Sequence, residues 1–157
     1  MLYFGLKFLH IIGAAVLLGT GAGIAFFMLM AHLGRNPAVI AGVSRIVVVA
    51  DFIFTATAVV AQPVSGVLLA RTVGYSLSEP WIVWSIILYL ITGGFWLPVV
   101  WMQMRMRDLA AMAANTGTSL PPGYWRFLRV WVALGVVAFV SLVVVFFLMV
   151  AKPALDS

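Results

Sequence analysis

Hydrophobic residues run along the chain in four long blocks separated by three polar breaks. The blocks cover roughly Phe4–Met30, Ile46–Leu69, Trp81–Met102 and Leu128–Val150. Each reaches the ~20 mainly apolar residues that a helix needs to cross hydrocarbon. The breaks carry turn chemistry. "GRNP" (34–37) closes the first span, and "VGYSLSEP" (73–80) parts the second from the third, with Ser78 and Glu79 as caps ahead of Pro80. The longest break, Met104 to Gly123, begins as a helical extension, "MRMRDLAAMAA", and ends in "NTGTSLPPG". The pattern predicts an all-α membrane protein, a four-transmembrane-helix bundle forming one domain over residues 1–157. Lys7 is the only early base and the first apolar run continues to about Met30, so that run is expected to be a retained helix rather than a cleaved signal peptide.

Composition agrees: 8% of residues are charged, against roughly 25% in soluble domains. The chain has no cysteine, which excludes disulfides, thiolate metal sites and cysteine nucleophiles. Its net charge of +5 belongs to helix ends and meets anionic headgroups, so the expected partner is the lipid bilayer and not nucleic acid. Arg35, Arg45, Arg105, Arg107, Arg126 and Arg129 lie on the side of the first and third loops. Lys7, Arg71 and Lys152 lie on the other. That asymmetry predicts cytoplasmic first and third loops and both termini outside, in the periplasm. Trp81 and Trp84 at one face, and Trp101, Tyr124 and Trp125 at the other, fit interfacial aromatic belts.

Candidate chemistry begins in "LKFLHIIGAAVLLGTGAG" (6–23), where an imidazole sits ten residues into an apolar helix. Gly13, Ala14, Leu17 and Gly21 share the face of His10, and Gly19 and Gly23 form a G-x-x-x-G pair. Two readings stand side by side. In one, the small residues seat a flat macrocycle, His10 ligates haem iron and Lys7, one turn outward, neutralises a propionate. In the other, His10 hydrogen-bonds a neighbouring helix and the glycines simply pack. Gln62, expected near the depth of His10, precedes Pro63 and could bond the histidine under either reading. His32 lies 22 residues further along the same helix, about 33 Å away by helix rise, so one chain cannot supply two histidines to one haem. It is expected to be an interfacial residue beside Arg35. The site would then need a five-coordinate iron, a weak sixth ligand, or a second His10 across a homodimer axis.

Asp51, in "VVVADFIFT", is the only carboxylate inside a predicted span. It lies four or five residues from a helix end approached by Arg45, Arg105 and Arg129, so a structural ion pair is expected over a proton or ion site. "WMQMRM" alternates methionines that suit a soft metal, yet residues two apart on a helix diverge. "TGGFWLP" (92–98) marks a kink in the third span.

The segments "LKFLHIIGA", "GTGAGIAFFM", "VVADFIFT", "AVVAQPVSG", "GGFWLPVVWMQMRMRDLA", "LPPGYWR" and "FFLMVAKP" together resemble a bacterial family of small predicted integral membrane proteins, domain-of-unknown-function family 2269. That resemblance spans nearly the whole chain and implies a four-helix protein of the bacterial inner membrane. The first helix alone, "LKFLHIIGAAVLLGTG", is similar to the opening of HemJ-type protoporphyrinogen oxidases and of CopD-like copper-resistance domains. The HemJ likeness implies an oxidoreductase in which the first-helix histidine, here His10, is tied to haem. The HemJ type also carries a lysine in a later helix, whereas no lysine lies between Lys7 and Lys152 here. The leading expectation is therefore a membrane protein binding haem b or porphyrin through His10 for electron transfer, with a homodimer or a membrane redox protein as partner. A cofactor-free accessory or assembly protein acting through helix contacts is the alternative, and a metal or solute permease is the third.

Overall fold

Every span expected from hydropathy is helical in the computed structural model, which describes residues 1–153. Helix α1 covers Leu2–Leu33, α2 covers Pro37–Ala50 and α3 covers Ala56–Val73. A single wide π turn, Asp51–Thr55, joins α2 to α3, so the two form one continuous rod. Helix α4 runs Pro80–Thr116 and α5 runs Pro122–Ala151. Four rods are long and apolar enough to cross a membrane.

The helices outrun the apolar blocks, for local reasons. Asn36 caps α2, its Oδ1 accepting from the amides of Ala38 and Val39, and Pro37 fills the first helical position. Arg45 therefore lies within a helix rather than in the loop before one. Gly74 (φ +87°) and Gly117 (φ +65°) end α3 and α4 in the left-handed conformation that glycine adopts freely. Most of the long third break, up to Thr116, is thus helix. Neither expected cap at the start of α4 forms: Glu79 makes no side-chain cap bond, and the Ser78 amide turns back to the Ser76 hydroxyl.

Pro63 and Pro98 both lie inside helices. Pro63 has no amide to offer the carbonyl four residues back, which is that of Val59. The phenol of Tyr89 on α4 donates to that carbonyl at 2.7 Å. This bond both satisfies the proline's orphan and ties α3 to α4.

Packing differs between the two ends of the bundle. Toward the first and third loops a continuous core forms around Met28, Ile40, Met106, Ala110 and Tyr124, all fully buried. Met102 and Met106 of the alternating run fill this core. At the other end only small clusters form, such as Leu17, Ala58 and Leu142, or Ala70, Trp81 and Ile82. Exposed leucine, valine and phenylalanine side chains cover the outside of every rod, as lipid contact requires.

His32 departs from expectation: it is part of the core rather than an interfacial neighbour of Arg35. Its Nδ1–H donates to the Met28 carbonyl, and its Nε2 accepts from the Tyr124 hydroxyl at 2.6 Å. The extension of α5 back to Pro122 is what carries Tyr124 to it. Arg35 instead stacks on Trp125.

Candidate ligand cavity

The segment around His10 packs directly on α3. The Gln62 amide nitrogen donates to the His10 backbone carbonyl at 2.8 Å, not to the ring. The ring belongs to Ser65, whose hydroxyl lies 3.0 Å from Nδ1. Ser65 also donates to the Ala61 carbonyl at 2.8 Å. With that proton engaged, the imidazole carries its hydrogen on Nδ1 and leaves the Nε2 lone pair without a partner among the described residues.

Small residues here bring the helices together. A Cβ on Gly13 would stand 3.0 Å from the Gln62 amide nitrogen, and one on Gly66 would stand 3.1 Å from the His10 ring. Gly13, expected to floor a macrocycle, is covered by Gln62, so the α3 side of His10 has no room for a ring. Ala14 is half-buried beside it. Lys7 is exposed with its Nζ over the Tyr3 ring. A Cβ on Gly19 would meet nothing within 4 Å, and one on Gly23 would meet only the Phe27 ring of its own helix.

A separate polar group surrounds a cavity of about 410 Å³ in the middle of the bundle. Helix α1 contributes Leu17 and Gly21 to its wall, the π turn contributes Asp51 and Thr55, α3 contributes Val59, and α4 and α5 complete it. This volume falls within the roughly 300–1,000 Å³ of small-molecule sites. Most of the surface is aliphatic or aromatic. The polar exceptions are Asp51, Thr55, Tyr89, Thr92, Trp96, Gln103 and the Trp131 indole. Gly13, Gln62 and His10 do not line it.

Asp51 is 3% exposed. Its ion pair with an arginine does not form: among the described residues the one salt bridge joins Arg107 to Asp108. The reason is direction. Asp51 faces the bundle interior, Arg45 is exposed, and Arg105 stacks on Trp101. The Trp96 indole N–H donates to the Asp51 carboxylate at a long 3.3 Å, and the Thr55 hydroxyl lies beside the same carboxyl.

Three further atoms in the wall are buried without a hydrogen bond of good geometry: Thr55 Oγ1, which lies beside the Asp51 carboxyl, Gln103 Oε1 and Trp131 Nε1. Their residues are 6%, 1% and 4% exposed. An unpaired buried polar group costs about 1–3 kcal/mol, and these three fully buried side-chain atoms all line this cavity. The π turn places two members of the set. Its widened backbone bond, from the Ala56 amide to the Asp51 carbonyl, keeps Asp51 and Thr55 on one face, and such turns recur at functional sites.

Sequence reasoning passed over Thr55, Gln103, Trp131 and Ser65. Gln103 lies one residue beyond the third apolar block, and Trp131 lies within the fourth, where an apolar run draws no attention to it. The one legible signal was "DFIFT", with two polar residues four apart inside a span.

The fold and these intramembrane polar groups define a polytopic membrane protein with a half-open cavity between its helices, rimmed by the exposed Leu29, Val136 and Phe139. The chain belongs to the family described as predicted integral membrane protein (DUF2269), whose profile matches residues 4–153. No curated protein and no solved structure matches it.

Proposed function

We propose that this protein binds a lipophilic small molecule within the bilayer, in the chamber between α1, the π turn, α4 and α5. The observation that carries this reading is the group of three unpaired buried polar atoms around an otherwise apolar cavity. A guest with an apolar body and a polar head would shield the walls and supply the missing partners. We place it in the bacterial inner membrane with both termini periplasmic. The six arginines at the end with the first and third loops support that orientation, as do the Arg35–Trp125 and Arg105–Trp101 stacks at the same end.

The test is solvent extraction of protein purified in mild detergent, followed by mass spectrometry of the extract. Gly135→Leu is the control variant, because Gly135 lines the cavity and an added Cβ there meets nothing within 4 Å. A lipophilic species held in fixed proportion by the wild type and lost from Gly135→Leu is the expected result. Identical extracts from both proteins would remove the proposal.

A second reading keeps His10 as an axial ligand of haem b in membrane electron transfer, supported by the unpartnered Nε2. The Ser65 bond selects the tautomer that presents Nε2, as outer-sphere partners of metal-bound histidines do. Because Gln62 fills the Gly13 face, haem would have to approach from outside the α1–α3 contact, from lipid or across a dimer. Lys7 would then swing from Tyr3 to meet a propionate. A Soret band lost in folded His10→Ala supports this reading. Colourless, folded wild type that takes up no added haemin eliminates it.

A further inference from the structure

Among the described residues the chamber holds one carboxyl group and no positive charge: Asp51 is the only acidic side chain on its wall, and no lysine, arginine or histidine lines it. Tyr89 on α4 is the one other titratable side chain there; α1 and α5 contribute none, and Arg45 on α2 is exposed. A carboxylate deep in a membrane protein is expensive unless something neutralises it. With no arginine in reach, the neutralising species is a proton or a bound cation.

The rest of the wall suits a cation with apolar substituents. The indoles of Trp96 and Trp131, the phenol of Tyr89 and the ring of Phe139 all border the space. Aromatic faces attract organic cations, and more strongly where water is excluded. Among the unpaired atoms, Thr55 Oγ1 and Gln103 Oε1 can accept, while Trp131 Nε1–H is the single committed donor. With Asp51 ionised, the described residues of the wall carry one negative charge and no positive one.

We propose that the chamber takes a lipophilic organic monocation, with Asp51 as its counter-charge, and that binding exchanges the cation for a proton. This rests on the ligand-binding reading above and names the ligand class. The exchange balances simply. Neutral Asp51 releases its proton to water, and the cation takes its place beside the carboxylate, leaving the net charge in the chamber unchanged.

The experiment is calorimetric titration of the detergent-purified protein with tetraphenylphosphonium, alongside tetraphenylborate, which has similar shape and opposite charge. The expected result is binding of the phosphonium and not of the borate. Affinity should weaken on going from about pH 8 to about pH 5.5, because protons compete for the carboxylate. Asp51→Asn should lose about tenfold or more in affinity, by removal of a desolvated charge partner, along with the pH dependence. Asp51→Glu keeps the charge and should retain much of the binding, which separates loss of charge from loss of fold. Equal binding of both probes, or pH-independent phosphonium binding that survives Asp51→Asn, overturns the cation assignment and leaves the lipophilic-ligand reading standing. Absence of phosphonium binding overturns it too. In that case a co-purified species that Gly135→Leu still expels keeps the chamber as a site for uncharged guests, and extracts that do not differ discard both.

Discussion

The bundle buries polar side chains in two different ways. Around the histidines most polar groups find a partner from another turn or helix, the His10 Nε2 being the exception. His32 is held by Met28 and Tyr124, the His10 ring by Ser65, and the Gln62 amide by the His10 carbonyl. Around the central cavity Gln103 Oε1 and Trp131 Nε1 have no partner, Thr55 has no bond of good geometry, and Asp51 has a long bond from Trp96. The first arrangement stabilises the bundle; the second leaves free energy to be recovered by a guest. The histidines drew attention in the sequence because imidazole is rare in membranes. The better candidate for a binding site is the place where satisfaction fails.

Substitutions should separate the two regions by sign as well as size. His32→Ala opens a hole beside Tyr124 and strips its hydroxyl of an acceptor, so a loss of about 2–4 kcal/mol is expected. Reversible unfolding in detergent mixtures measures it, and a loss near zero would erase the distinction between the regions. Gly66→Val pushes carbon into the His10 ring, and overpacking of this kind costs about 1–3 kcal/mol. Tyr89→Phe leaves the Val59 carbonyl that Pro63 has already deprived of its amide, at a cost of about 1–2 kcal/mol. A Tyr89→Phe protein as stable as wild type would mean that water, not the phenol, serves that carbonyl.

The smallest effect has the opposite sign. Thr55→Val and Gln103→Leu remove unpaired polar atoms from the cavity wall, so the ligand-free protein should keep its stability or gain up to about 1 kcal/mol. The same variants should hold a co-purified guest less well, as solvent extraction and mass spectrometry will read. A destabilisation of more than about 1 kcal/mol by either would mean that the group is paired, through buried water, and belongs with the histidines.

The number, length and order of the helices were legible because hydropathy over some twenty residues integrates many small, same-sign contributions. The breaks at Gly34–Pro37 and 73–80 were legible because glycine, proline and asparagine act locally. Helix ends were legible only in part: the extension "MRMRDLAAMAA" is helical as expected, while the start of α2 at Pro37, which takes in Arg45, lay outside the apolar block. Of the candidate residues, His10 and Gln62 do meet, though through a backbone carbonyl. Lys7, Gly13 and Ala14 do not assemble into a ring seat.

What the sequence by itself determined was the solvent of this protein, lipid, and the four rods that solvent demands. Which polar groups find partners was decided by tertiary structure alone. That outcome depends on the rotation of each rod about its axis and on the single π turn at Asp51–Thr55. Hydropathy is nearly blind to both, because every face of these helices is apolar.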